Sequence, residues 1–268
     1  MTEIFYRFPS GLFALVILAL MILAIEAGYR IGRGAQPRTT EVARSQVEAM
    51  QTSLLGVLAL MLGFTFSISL ERFNGRSEAV VHEANAIGTA YLRSALLDES
   101  PRAEAHAIFS DYVDVRARTV TLAWANTDQR APLNAEAQRL QGRLWEQAAA
   151  ASRAAPSPAT TGLYVQALNE MIDAHATLTA QVDRHVPELV LLLLFSAFVV
   201  SGGIIGYAAG LAGHRPSRAT FVMVALVVVL MFMIMDLDRP RRGIIQVSPQ
   251  SLLDVKAAID AAAGAPRP

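Results

Sequence analysis

One uninterrupted stretch, residues 51–93, limits the folds open to this sequence more than any other feature. It begins as an apolar run and continues, without a proline, into a charged run of helical character. Its glycines are isolated, and Asn74-Gly75 is the one turn-like pair in it. We therefore predict a single long helix whose first half lies in a membrane and whose second half stands in water.

Four apolar stretches approach the length of about 20 residues that a helix needs to cross a bilayer. Composition agrees, because 53% of the 268 residues are hydrophobic and 17% are charged, whereas a soluble domain has about 25% charged residues. The first stretch is longer than the core of a signal peptide, so it also counts as a span. The four stretches are residues 8–27, 54–70, 189–211 and 219–235.

These spans predict an all-α, four-span helical membrane protein with a helical cytosolic domain built on the extension of the second span. Residues 1–70 form the first two transmembrane helices and residues 71–186 form the cytosolic domain. Residues 187–238 form the third and fourth transmembrane helices, and residues 239–268 a cytosolic C-terminal segment. Arginines are slightly more numerous on the domain side, so the positive-inside rule places that side in the cytoplasm of an inner-membrane protein.

Charge and residue types exclude several functions. Lys+Arg and Asp+Glu balance at 23 each, so no global field attracts nucleic acid. The absence of cysteine excludes disulfides and thiolate metal sites. No catalytic motif occurs, so we predict neither an enzyme nor a cofactor nor a metal site. The histidines lack ligand spacing and are interpreted as exposed or capping residues: His82, His106, His175, His185 and His214.

Two stripes run along the second span at helical spacing. Small residues let helices approach closely in lipid, so the small and partly polar stripe predicts either helix packing or a face toward a pore axis. A bulky apolar stripe predicts either a lipid- or core-facing surface or a hydrophobic constriction that gates by dewetting. The small stripe is Thr52, Gly56, Ala59, Gly63 and Ser67, and the bulky stripe is Leu62, Phe66, Leu70 and Phe73.

The fourth span ends in two carboxylates followed by arginines, beginning Asp236-Leu237-Asp238-Arg239. This pattern predicts either ion pairing at the membrane interface or a structured junction between the span and the domain. Asp236 and Asp238 alone supply too few oxygens for Ca²⁺, which takes 6–8.

Four segments resemble the bestrophin-like family of bacterial membrane proteins: GFTFSISLERF (63–73), EANAIGTAYLR (83–93), ALNEMIDAH (167–175) and DLDRPRRGIIQVS (236–248). That family is named for its similarity to bestrophins, which are pentameric anion channels with four spans per subunit and a helical cytosolic domain. The resemblance implies that the second span lines a pore, with the bulky stripe as candidate neck. It also places the two aspartates near the Ca²⁺-binding region of animal bestrophins. The polar residues of these segments are Glu83, Asn85, Asn169, Glu170, Asp236, Asp238 and Arg239.

The function predicted from these features is a homo-oligomeric passive ion channel, with five subunits and anions favoured by the resemblance. Its expected partners are the lipid bilayer, further copies of the chain and a small inorganic ion, and not nucleic acid. The alternative is a non-conducting membrane scaffold or sensor whose helical domain binds a partner. That alternative predicts that the small stripe is buried between helices of one subunit.

Overall fold

The computed structural model describes residues 10–122, 127–184, 186–238 and 244–264. Over these residues the chain is helical and contains no β-strand, which confirms the predicted all-α class. The helices are α1 (Ser10–Ala35), α2 (Glu41–Ser94), α3 (Glu99–Thr121), α4 (Thr127–Ala154), α5 (Thr161–Asp183), α6 (Glu188–Leu211), α7 (Arg218–Asp238) and α8 (Gln250–Gly264).

The long helix predicted around residues 51–93 is confirmed as α2, which is continuous through Asn74-Gly75. It begins at Glu41, where the side-chain oxygen of Thr40 accepts a hydrogen bond from the backbone N–H of Ala43 at 3.3 Å. Such a bond satisfies one of the free N–H groups of a helix start. The helix therefore has 54 residues, or roughly 80 Å at 1.5 Å per residue.

The chain divides into two compact units. Unit 1 contains residues 10–71, 186–238 and 244–245, and unit 2 contains residues 72–122, 127–184 and 246–264. Helices α1, α2, α6 and α7 are long and apolar enough to cross a membrane, which confirms the four predicted spans. Unit 2 comprises the second part of α2 together with α3, α4, α5 and α8.

Glycines bring α1 and α6 into backbone contact within unit 1. A Cβ atom added to Gly28 would overlap the carbonyl group of Gly203, and one added to Gly206 would overlap the carbonyl group of Ile25. Small residues allow this close approach, which in lipid replaces the hydrophobic driving force between helices. The glycines of α6 are therefore packing residues.

Each helix of unit 2 contributes one buried face to the core of the unit. Ile87 of α2, Phe109 of α3, Leu144 of α4 and Leu168 of α5 are completely buried in one cluster. The C-terminal helix α8 joins the same core through Leu252. The residues predicted as a separate C-terminal segment thus contribute a helix to unit 2.

Candidate functional site: the exposed face of the second span

The small stripe lies on the surface of unit 1. Thr52, Gly56, Ala59, Gly63 and Ser67 are all exposed. A Cβ added to Gly56 or Gly63 would meet no atom of the described residues within 4 Å, unlike the glycines of α1 and α6. The interpretation of this stripe as a packing surface against the other described helices is therefore wrong.

The opposite face of α2 supplies its contacts to the other helices of unit 1. Leu58, Leu62, Thr65 and Ser69 recur every three or four residues and are buried. Leu58 and Leu62 belong to the apolar core that α2 shares with α1, α6 and α7. This pattern accounts for the exposure of the small stripe, because the two sets of residues lie on opposite sides of the helix.

The residues of the bulky stripe do not share one environment. Leu62 is 4% exposed and lies in the core of unit 1, and Phe66 packs half-buried against the same core. Phe73 packs half-buried against the core of unit 2. Leu62 is therefore a core residue and not a candidate for a pore neck, whereas Phe66 and Phe73 keep part of their side chains exposed, and their place in a neck stays a prediction. A 3.6-residue apolar period marks a core face as readily as a constriction.

Leu70 is the member of the bulky stripe that stays exposed, at 38%. It follows Thr52 by 18 residues, which is about five turns of 3.6 residues, so it lies on the side of α2 that carries the small stripe. A second exposed line, which sequence reasoning missed, runs beside that stripe through Val57, Leu60 and Phe64. The three- and four-residue spacing of this line is the sequence signal by which it could have been predicted.

Glu83 of α2 forms a buried ion pair in unit 2. Arg116 of α3 donates from Nε and Nη2 to its two carboxylate oxygens, at 2.7 and 2.8 Å. The Nδ1 atom of His175 on α5 lies 2.9 Å from Oε1 of the same carboxylate. His175 is buried, so its interpretation as an exposed or capping residue is wrong.

The electrostatics of this cluster favour the ionised carboxylate. Burial by itself raises the pKa of Glu83, but the charge of Arg116 and the hydrogen bonds from His175 and Arg116 outweigh it and lower the pKa to about 2. Burial, and secondarily the charge of Glu83, raise the pKa of the neighbouring Tyr112 hydroxyl, which accepts a hydrogen bond from Gln141 at 3.0 Å. Glu83 is thus a charged anchor that joins α2, α3 and α5.

The other polar residues of the family-like segments do not join this cluster. Asn85, Asn169 and Glu170 are exposed, and Arg239 lies outside the described residues. Within the described parts of the chain, no group of three or more His, Asp or Glu side chains is arranged to hold a metal ion.

Asp236 and Asp238, at the end of α7, accept hydrogen bonds from the backbone of neighbouring segments. The backbone N–H of Val186, just before α6, donates to Asp238 Oδ1 and Oδ2 at 3.2 and 2.9 Å. The N–H of Ile245 donates to Asp236 Oδ2 at 2.9 Å. Both carboxylates are buried. Both aspartates are therefore buried hydrogen-bond acceptors within unit 1, and exposed ion pairing does not describe them.

These features define an all-helical, multi-pass membrane protein whose second span continues as a helix of a second unit. The Bestrophin-like domain family matches residues 13–252, so the chain belongs to the Bestrophin-like family. No curated protein matches the chain significantly.

Solved structures share this fold. A bacterial bestrophin homologue from Klebsiella pneumoniae is 16% identical, with a TM-score of 0.70 over 94% of this chain and 98% of its own. An Asp-to-Ala variant of that homologue is 15% identical and has a TM-score of 0.69, with 94% and 98% coverage. A structure described as a membrane protein variant is 16% identical, with a TM-score of 0.69 over 94% and 99% of the two chains.

Proposed function

We propose that this protein is a homo-oligomeric passive ion channel in which the exposed face of α2 lines the ion path. The observation that carries the proposal is the exposure of the small stripe, with open space around Gly56 and Gly63. Small residues in membrane helices usually serve close helix contacts, and Gly56 and Gly63 of the stripe make none with the described part of the chain. It is therefore available to a symmetry axis.

The outward direction of the small stripe implies that several copies of the chain assemble to form the channel. One subunit presents the stripe outward and encloses no path with it, so several copies around an axis are required, and closed symmetric assemblies are the usual form. The family resemblance favours five subunits. The structural neighbours support the same reading, since those from Klebsiella pneumoniae are described as bestrophin homologues.

Leu70 is the proposed constriction. It is exposed on the side of α2 that carries the small stripe. A ring of leucine side chains narrows a path and removes water from it, which is how apolar constrictions gate. Leu62 does not share this role, because it is buried in the core of unit 1, whereas the half-buried Phe66 and Phe73 stay secondary candidates.

Two observations favour opposite charges for the permeant ion. The resemblance to bestrophins favours anions. On α2 itself, Glu71 and Glu78 are exposed whereas Arg76 is 1% exposed, and exposed carboxylates around a path favour cations. We propose anions because of the family resemblance. The reversal potential measured in a salt gradient distinguishes anion from cation selectivity.

Ion flux through liposomes that contain the purified protein tests the proposal. We expect the wild-type protein to pass chloride, Gly63→Leu to reduce the flux by filling the open face, and Leu70→Ala to increase it. Gly11→Leu is the matched control, because it places the same side chain in open space on α1. A folded protein that passes no small ion would contradict the proposal.

Orientation is a further part of the proposal: unit 2 lies on the cytoplasmic side of the inner membrane. The chain has no cysteine, so single cysteines report their side without a background. We expect Glu146→Cys in unit 2 to resist an impermeant thiol reagent added outside, and His214→Cys between α6 and α7 to react. Both residues are exposed. The reverse labelling would place unit 2 outside.

The scaffold alternative receives no support from the surface of α2. It predicts that the small stripe is buried between helices of one subunit, whereas the stripe is exposed. An oligomeric structure would separate the two functions directly. A channel requires the 52–71 face at an open axis, whereas a scaffold has no axial opening.

A further inference from the structure

We propose that Arg33 and Arg215 of unit 1 bind the phosphate group of an anionic phospholipid headgroup. Arg33 lies near the end of α1, and Arg215 lies in the short connection between α6 and α7. Both residues are exposed. Neither belongs to the small stripe of α2, so this binding does not rest on the proposed ion path.

The fold holds both guanidinium groups at the same turn of α1. Arg33 donates from Nη1 to Oε1 of Gln36 and to the carbonyl oxygen of Gly213, at 2.9 Å each. The second bond ties it to the connection between α6 and α7, two residues before Arg215. Arg215 itself lies over the ring of Tyr29, with its Cζ atom 5.6 Å from the ring centroid. Because Tyr29 and Arg33 are four residues apart, they share one face of α1, and that face holds two cations.

The charge at this end of unit 1 is not balanced by acidic residues. Residues 26–38 and 211–218 contain five arginines and a single carboxylate, Glu26, which is already paired within α1. In the described part of the chain, Arg33 and Arg215 have no carboxylate partner. Like charges held on one helix face repel each other, so an anion bound by both offsets that repulsion. The planar donor fork of arginine matches the geometry of a phosphate.

The level of this face in the bilayer identifies the anion as a lipid headgroup. Helices α1, α6 and α7 are membrane spans by length and composition, so the ends that adjoin the α6–α7 connection lie at a membrane surface. Tyrosine is enriched at that level, where Tyr29 lies beneath the arginine. Large apolar side chains are exposed on the adjacent turns of α1 and α7, namely Ile31, Phe221 and Val222. Clustered basic residues beside such apolar surface attract anionic headgroups.

Native mass spectrometry of the purified, lipid-free protein measures the binding. The probes are phosphatidylglycerol, phosphatidylcholine with the same acyl chains, and inorganic phosphate. We expect phosphatidylglycerol to bind about tenfold more tightly than phosphatidylcholine, whose choline group cancels the charge of its phosphate. We expect inorganic phosphate at the same concentration to leave phosphatidylglycerol bound, because it lacks the acyl chains that the apolar surface contacts.

Arg215→Gln is the main variant, because loss of Arg33 also removes a hydrogen bond to Gly213. We expect Arg215→Gln to weaken phosphatidylglycerol binding about tenfold. Arg143→Gln is the matched control, since it removes the same charge from an exposed position on α4, and it should leave the affinity unchanged. Equal affinity for the two lipids, or equal effects of the two substitutions, would overturn the proposal. Displacement of phosphatidylglycerol by inorganic phosphate would overturn the assignment to a lipid and place a free anion in the site.

Discussion

Arg116 donates one hydrogen bond to each carboxylate oxygen of Glu83, and neither residue is more than 2% exposed. His175 contacts the same carboxylate, so three helices of unit 2 meet at one charge. Removing one partner from a buried ion pair leaves an uncompensated charge and costs about 3–5 kcal/mol. The pair therefore specifies how α2, α3 and α5 fit together.

Replacing Glu83 by glutamine should destabilise unit 2 strongly. The substitution keeps the shape of the side chain but leaves the guanidinium of Arg116 buried without a counter-charge. We expect the free energy of unfolding to fall by about 3–5 kcal/mol, measured by thermal or denaturant unfolding of the purified protein. Glu136→Gln is the control, because it breaks an exposed pair with Arg139 and should change stability little. Equal effects of the two substitutions would contradict the assigned role of Glu83.

Acid should destabilise the wild-type protein over a defined pH range. The pKa of Glu83 is about 2 in the folded protein, below its ordinary value near 4.5. Its contribution to stability is therefore fully present above about pH 4.5 and is lost as the pH falls toward 2. We expect the unfolding midpoint to decline over this range. A double variant, Glu83→Leu with Arg116→Met, should remove this part of the decline; an unchanged pH profile would assign the acid sensitivity to other carboxyl groups.

The glycines of unit 1 should respond to alanine in opposite ways. Gly206→Ala places a methyl group against the backbone of Ile25, and overpacking of this kind costs about 1–3 kcal/mol. Gly63→Ala enters open space, so we expect no loss, and a gain of up to about 1 kcal/mol from helix propensity. Unfolding of both variants in detergent is the measurement. A destabilised Gly63→Ala monomer would show that the small stripe does pack within the subunit.

The junction after α7 should depend on Asp238. Its carboxylate accepts the N–H of Val186, and hydrogen bonds to charged groups contribute about 1.5–3 kcal/mol. We expect Asp238→Ala to lower the free energy of unfolding by about this amount. Asp254→Ala is the control, since Asp254 accepts an exposed hydrogen bond from Gln250 in α8. If Asp238→Ala left the free energy of unfolding unchanged, contacts other than this carboxylate would hold Val186 in place.

Local patterns were sufficient to predict the architecture. Apolar length identified the four spans, and the lack of proline between residues 51 and 93 identified the continuous helix. Helix geometry also accounts for the ion pair between Glu26 and Arg30, which lie four residues apart on α1 and approach to 2.8 Å. These features depend on residues close in sequence, whose geometry the helix itself determines.

Partners that are distant in sequence were not predictable in the same way. Periodicity grouped the small stripe of α2, but it placed Leu70 and the buried Leu62 in one bulky stripe, because spacing alone does not show which face of a helix meets the core. Glu83 and Arg116 are 33 residues apart, and His175 is 92 residues from Glu83. The available signal was the presence of Arg116 and His175 on otherwise apolar helix faces, which marks a charge that needs a partner.

The continuity of α2 constrains how this chain can change in length. Leu62 and Glu83 must each point into a core, and no loop lies between them to absorb a change. Inserting one residue between Leu58 and Leu62, or between Val80 and Glu83, would turn the later side chain by about 100° away from the core of its own unit. The reading frame of α2 is thus also a rotational frame, and a single-codon insertion at either place should destabilise the unit in which it falls.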